Sequence, residues 1–128
     1  MKVLYVEDDS MNRRVVKDML AVAEVEIVEA EDASIGLAIT ETQRFDLILM
    51  DLRMPGMDGL NAIRTIRARP DVGSSTPVIL VTADTSEDLD ERSSAAGANE
   101  VVRKPIDMRN LFDAIARVMY SSGSATLI

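Results

Sequence analysis

Short apolar segments alternate with segments of helical periodicity along the chain. The segments 3–6, 47–50, 78–81 and 101–102 are compact apolar runs of the kind found in buried strands, and Val25, Ile27 and Val28 form a further strand pattern set among glutamates. Between them, apolar residues recur at spacings of three and four, as in Val16, Met19, Leu20 and Ala23. This strict alternation predicts a parallel sheet with helices packed on both faces.

Details of the pattern indicate where individual strands and helices lie. The run 47–50 is apolar on both faces and therefore predicts a central strand, whereas 25–28 is interspersed with glutamates and predicts an edge strand. Thr85 and Asp88 resemble a capping box that opens a helix, and Gly97 is placed to end that helix.

Length and composition narrow the classes of protein. The 128 residues suit one domain, which we place at 1–120, with a flexible C-terminal tail at 121–128. The absence of Cys and His excludes disulfides, thiolate zinc sites and histidine bases. A net charge of −8 argues against nucleic acid or an anionic membrane as partner. Because no targeting or membrane-spanning segment is visible, we expect a cytoplasmic protein.

Polar residues follow four of the predicted strands. The acidic run 7–9 follows the first strand, Asp51 the third, Thr82 the fourth and Lys104 the fifth. Ligands of open α/β sheets bind beyond the carboxyl ends of the strands, so these groups converge on one edge. Carboxylates without His or Cys favour Mg²⁺, and a carboxylate can attack phosphorus to form an acyl phosphate. Together, these strand-end residues predict a site at which an aspartate accepts a phosphoryl group.

Each residue also has an ordinary alternative reading. An acidic run is commonly solvated surface, and an isolated Asp after a strand is commonly a cap or turn residue. Agreement among four separate strand ends favours a functional site over these alternatives.

The segment 51–59 reads Asp-Leu-Arg-Met-Pro-Gly-Met-Asp-Gly. Together with the acidic run 7–9, Thr82-Ala83 and Lys104-Pro105, it resembles the CheY-like receiver domain of response regulators in two-component signalling. The resemblance implies a flavodoxin-like fold, a doubly wound five-stranded parallel sheet of order 2-1-3-4-5 with five helices. No output domain follows within this sequence, so we expect a stand-alone receiver.

The resemblance also implies roles for individual residues. Asp51 corresponds to the phosphoacceptor of the family. Asp9 and Asp51 would ligate Mg²⁺ directly with the backbone carbonyl of Arg53, and Asp8 would act through a water molecule. Lys104 would pair with a phosphoryl oxygen.

Further implied roles concern the response to phosphorylation. Thr82 would turn to hydrogen-bond the phosphoryl group, and Ala83 is small, as the family requires beside that group. The Lys104-Pro105 bond would be cis.

Two departures, at Val101 and at the pair Arg53 and Asp84, matter for comparison with the common family pattern. Val101 stands where the family usually carries Tyr or Phe, so either switching follows another route or Val101 only packs an edge strand. Arg53 and Asp84 correspond to positions that flank the water that hydrolyses the acyl phosphate. We expect them either to pair and slow hydrolysis, or to remain two separate surface charges.

Three functions fit these residues. The first is a non-enzymatic switch or relay, phosphorylated by a sensor histidine kinase or a histidine phosphotransfer protein and read by a target at the face of helix 4, strand 5 and helix 5. The second is a haloacid-dehalogenase-like phosphatase, but Arg53 stands where that family needs a second Asp. The third is a degenerate receiver that binds partners without phosphorylation. A nucleotide site is disfavoured because the chain lacks a glycine-rich loop.

Overall fold

A computed structural model describes residues 1–121. Five parallel strands form one sheet of order β2-β1-β3-β4-β5, which confirms the predicted flavodoxin-like fold. The strands are β1 (Lys2–Val6), β2 (Glu26–Ala30), β3 (Leu47–Asp51), β4 (Val78–Thr82) and β5 (Glu100–Arg103). The helices are α1 (Ser10–Ala21), α2 (Ala33–Thr42), α3 (Gly59–Arg67), α4 (Leu89–Ala96) and α5 (Met108–Ser121), and a short 3-10 helix spans Val72–Ser75.

The sheet separates two hydrophobic clusters. Successive residues of β1 illustrate this, because Leu4 packs with helices α2, α3 and α4, whereas Tyr5 packs with α1 and α5. Strands β3 and β4 are buried along their whole length, and β2 lies at an edge. The central position of β3 and the edge position of β2 were predicted from the apolar pattern.

Aspartates cap four of the helices. Asp9, Asp32, Asp58 and Asp107 precede α1, α2, α3 and α5, and each carboxylate accepts at least one hydrogen bond from a backbone N–H group of the first turn. The first three of these caps fix the loops that leave β1, β2 and β3. Two of these loops, after β1 and β3, lie beside the cleft described below.

Helix α4 begins differently from the prediction. Asp88 precedes its first residue, Leu89, but its side chain makes no capping bond, so the predicted capping box of Thr85 and Asp88 is wrong. Upstream, Asp84 accepts bonds from the backbone N–H and the hydroxyl of Ser86, which form a turn instead. Gly97 ends the helix at φ 108°, as predicted.

Helix α5 extends to Ser121. The first residue of the predicted tail 121–128 is therefore helical, and the remaining residues of that tail lie outside the described part of the chain. Among residues 1–121, no helix has the length and apolar character needed to cross a membrane.

Candidate functional site: an acidic cleft at the carboxyl edge of the sheet

The carboxyl ends of β1, β3, β4 and β5 surround a cleft of about 460 Å³. The cleft contains the strand-end groups that the sequence predicted to converge. The peptide bond between Lys104 and Pro105 is cis, as expected. The lining residues are Glu7, Asp8, Asp9, Asn12, Asp51, Arg53, Thr82, Ala83, Asp84 and Lys104.

Asp51 is the last residue of β3 and is only 3% exposed. The backbone after it turns closely past Gly59, whose N–H donates to the carbonyl of Leu52 at 2.9 Å. A Cβ atom at Gly59 would overlap the carbonyl oxygen of Asp51. A residue without a side chain is therefore needed here for α3 to start directly beneath the cleft.

Lys104 joins the two buried carboxylates of the cleft. Its Nζ lies 2.8 Å from Oε1 of Glu7 and 3.1 Å from Oδ1 of Asp51. Burial lowers the pKa of Lys104, but its hydrogen bonds with Glu7 and Asp51 outweigh burial and raise the pKa overall. The ammonium therefore stays charged and partly balances the negative charge of the cleft.

The pKa values of Asp51 and Glu7 are shifted in opposite directions. Burial, together with the hydrogen bond and negative charge of Glu7, raises the pKa of Asp51 to about 7, although Lys104 acts in the other direction. Burial also acts to raise the pKa of Glu7, yet hydrogen bonds from Lys104 and Asp51 hold it below its ordinary value. Of the two groups, Asp51 therefore has the higher proton affinity.

The carboxylates that could hold a cation are Glu7, Asp8 and Asp51, whose oxygen atoms lie within 4.8 Å of one another. Desolvation and the neighbouring Glu7 raise the pKa of Asp8. This all-oxygen donor set matches the preference of Mg²⁺. The cleft therefore fits the metal that the sequence predicted.

The expected ligand Asp9 has a different place. It lines the cleft, but its Oδ1 accepts from the backbone N–H groups of Met11 at 2.8 Å and Asn12 at 3.2 Å, as the cap of α1. Glu7 takes its place in the carboxylate group. The run 7–9 therefore contributes Glu7 and Asp8 to the carboxylate group, instead of the expected Asp8 and Asp9, because Asp9 caps the helix.

Arg53 and Asp84 form the ion pair that the sequence offered as one of two alternatives. Arg53 Nη2 lies 2.6 Å from Asp84 Oδ2, which ties the loop after β3 to the loop after β4. The Arg53 side chain is 77% exposed and that of Asp84 only 4% exposed. Hydrogen bonds from Ser86, and then Arg53, lower the pKa of Asp84 well below its usual range.

The residues expected to respond to phosphorylation occupy two different places. Thr82 is buried in the cleft wall, where its Oγ1 accepts from the N–H of Asp84 at 3.0 Å, and Ala83 is exposed beside it. Val101 does not line the cleft. It pairs with Leu80 in the sheet and packs, half-buried, against the cluster beneath α2, α3 and α4.

The sequence profile that describes the response regulator receiver domain matches residues 3–116. The chain belongs to this family. Receiver domains are signalling domains of two-component systems rather than enzymes with an external substrate.

Two relatives from Pseudomonas aeruginosa illustrate the range of proteins that this receiver is similar to. Sensor histidine kinase AruS is 39% identical over 119 residues, which are 92% of this chain and 12% of the kinase. Chemotaxis protein CheY is 33% identical over 119 residues, covering 92% of this chain and 95% of CheY. The chain thus spans only a small part of its sensor-kinase relatives, 12% of AruS and 13% of the autoinducer 2 sensor kinase/phosphatase LuxQ of Vibrio vulnificus.

Solved structures show the same fold. Vibrio cholerae CheY4 has a TM-score of 0.85 at 31% identity, covering 91% of this chain and 97% of that one. The receiver domain of sensor histidine kinase PA1611 from P. aeruginosa, described with a magnesium ion in its active site cleft, has a TM-score of 0.84 at 33% identity. That comparison covers 93% of this receiver and 97% of the other.

Three residues at or behind the cleft have no role in the sequence prediction. Glu7 and Asn12 line the cleft, and the Tyr5 hydroxyl bonds to Glu7 from the core. Glu7 lies at the predicted edge, although it is not one of the expected ligands. For Tyr5 a signal was available, because it lies two residues before Glu7 and so on the same side of the extended chain.

Proposed function

We propose that this receiver accepts a phosphoryl group on Asp51 from a phosphohistidine of a sensor histidine kinase or histidine phosphotransfer protein. The observation that carries the proposal is the position of Asp51, buried at the end of β3 with the Lys104 ammonium 3.1 Å from its carboxylate. We assign the reaction to a receiver unit of residues 1–120.

The reaction transfers the phosphoryl group from a donor histidine to the Asp51 carboxylate. A carboxylate oxygen of Asp51 attacks phosphorus, the P–N bond to the donor histidine breaks, and the imidazole keeps the electron pair and takes up a proton. With acetyl phosphate as donor, the P–O bond to acetate breaks instead. The product is an acyl phosphate on Asp51, and Lys104 is placed to offset the charge on the phosphoryl oxygens.

Mg²⁺ would be held by Asp8 and Asp51 with the backbone carbonyl of Arg53. We propose Asp8 in place of Asp9 because the Asp9 carboxylate caps α1. We assign Glu7 a supporting position, since its Oε1 is already bonded to Lys104. The bound ion would supply positive charge to the transferring phosphoryl group.

Return to the unphosphorylated state requires attack of water on the acyl phosphate. We propose that the Arg53–Asp84 ion pair obstructs this attack, since it joins the two loops at the mouth of the cleft. The pair would thus lengthen the lifetime of the phosphorylated state.

Phosphorylation would then act as a binding switch or as an intermediate in a phosphorelay. The target would bind the face formed by α4, β5 and α5. Two ion pairs, Arg103–Asp90 and Arg117–Glu100, connect these elements, so a displacement of α4 would alter the charges on that face. Thr82 and Ala83 connect the cleft to α4, whereas Val101 supports the same face from β5.

The test is the intact mass of the protein after incubation with acetyl phosphate, with and without Mg²⁺. We expect one Mg²⁺-dependent phosphoryl adduct on the wild-type chain and none on Asp51→Asn. Asp46→Asn is the matched control, because Asp46 lies outside the cleft and bonds the backbone N–H of Lys2. If neither acetyl phosphate nor a phosphorylated kinase gives an adduct, the proposal fails in favour of a phosphorylation-independent scaffold.

A further inference from the structure

Tyr5 is the last but one residue of β1 and is fully buried. Its ring packs in the cluster between the sheet and helices α1 and α5. Its hydroxyl donates to Oε1 of Glu7 at 3.2 Å, so a core side chain ends in a polar contact with the acidic cleft. The sequence contains one other tyrosine, Tyr120, which is 67% exposed.

The oxygen that Tyr5 contacts is the one that binds Lys104. Glu7 Oε1 accepts from the Tyr5 hydroxyl and, at 2.8 Å, from the Lys104 ammonium. Lys104 in turn lies 3.1 Å from Asp51. Tyr5, Glu7, Lys104 and Asp51 therefore form one continuous series of polar contacts that runs from the core to the acceptor.

Glu7 depends on such contacts for its position. It is 1% exposed, so few water molecules can replace a lost donor. A buried carboxylate that loses one donor becomes less well satisfied and less fixed in orientation. A displaced Glu7 would leave Lys104 with less support against Asp51.

We infer that Tyr5 is a positioning residue for phosphoryl transfer, whose hydroxyl fixes Glu7 so that Glu7 holds Lys104 against Asp51. This inference rests on the proposed function, since it assigns Tyr5 a part in the same reaction. Tyr5 acts through Glu7 and does not touch the reacting atoms. A residue that only filled the core would need the ring and not the hydroxyl.

The direct test is Tyr5→Phe, which keeps the ring and removes the hydroxyl. We expect phosphorylation by acetyl phosphate at saturating Mg²⁺ to slow by about three- to tenfold, the range expected for loss of one hydrogen bond. Tyr120→Phe, the matched control, should phosphorylate at the wild-type rate. Equal rates for wild type and Tyr5→Phe would overturn the inference while leaving Asp51 as acceptor. A wild-type protein that takes no phosphoryl group would overturn the proposed function and this inference with it.

A second measurement tests the contact without phosphorylation. In Tyr120→Phe protein all tyrosine fluorescence comes from Tyr5, and the chain contains no Trp to obscure it. A carboxylate acceptor quenches tyrosine emission, so we expect added Glu7→Gln to increase it. Emission that is unchanged by Glu7→Gln would contradict the contact, whatever the phosphorylation rates are.

Discussion

Arg53 and Asp84 are 31 positions apart in the sequence, yet their side chains meet at 2.6 Å across the mouth of the acidic cleft. Each follows by two residues a strand-end residue of the cleft, Asp51 and Thr82. The backbone N–H and the hydroxyl of Ser86 donate to the other carboxylate oxygen of Asp84, Oδ1, and hold the carboxylate in place. The charge of the exposed Arg53 side chain is thereby held over the cleft.

Removal of this ion pair should shorten the phosphorylated state. Arg53→Ala opens the cleft mouth to water, and we expect the half-life of the phosphoryl group to fall by about two- to fivefold, in keeping with an exposed pair. Phosphate release after removal of the donor measures this half-life. Arg53→Lys should restore part of it, and an unchanged half-life in Arg53→Ala would contradict the proposed role.

Mg²⁺ binding should weaken in mild acid. Because burial raises the pKa of Asp51 to about 7, a proton competes with the ion for this carboxylate as the pH falls below that value. We expect the Mg²⁺ dissociation constant to rise by about tenfold per pH unit below pH 7. Calorimetric titration between pH 8 and pH 5.5 measures it, and Asp46→Asn should show the same dependence. A constant affinity over this range would disprove the competition.

Replacement of the acceptor should stabilise the fold, and more so at high pH. Because the pKa of Asp51 is raised in the folded protein, protonated Asp51 contributes to the stability of the fold. This contribution is complete below about pH 4 and is lost as the pH rises through 7. Asp51→Asn carries no charge, so its free energy of unfolding should exceed that of wild type by about 1–3 kcal/mol at pH 8 and by less at pH 5. Urea denaturation of both proteins at pH 8 and at pH 5 measures this difference in the free energy of unfolding. A difference independent of pH would contradict this explanation.

A side chain at Gly59 should disturb the acceptor strand. The Cβ of Gly59→Ala would overlap the carbonyl oxygen of Asp51, so we expect a loss of about 1–3 kcal/mol in unfolding free energy, as for overpacked sites. At Gly73 the nearest atom belongs to the Asp71 carboxylate, which can move away. Gly73→Ala should therefore cost less than about 0.5 kcal/mol. Equal losses in the two variants would show that the close approach at Gly59 carries no strain.

The sequence predicted the sheet because burial and apolar pattern coincide in its strands. The runs 47–50 and 78–81 are apolar on both faces, and both form central strands that are buried throughout. The meeting of Asp51, Thr82 and Lys104 followed from this topology, since parallel strands end at a common edge. Those residues could be brought together from the sequence alone.

Other features depended on local competition that the sequence does not resolve. In the run 7–9, any of the three acids could have capped α1, and the choice of Asp9 leaves Glu7 and Asp8 to group with Asp51. The start of α4 was misplaced because Asp84 captured Ser86 in a turn. These outcomes depend on distances of a few ångströms, which residue types alone do not specify.

The most direct test of the central claim is to locate the phosphoryl group chemically. Borohydride reduces an acyl phosphate on aspartate to homoserine, so the phosphorylated residue can be read by peptide mass spectrometry. After phosphorylation with Mg²⁺ present, we predict homoserine at position 51 of the wild-type chain. Homoserine at Asp8 or Asp9 in place of Asp51, or at none of the acidic residues of a protein that gains a phosphoryl group, would contradict the account.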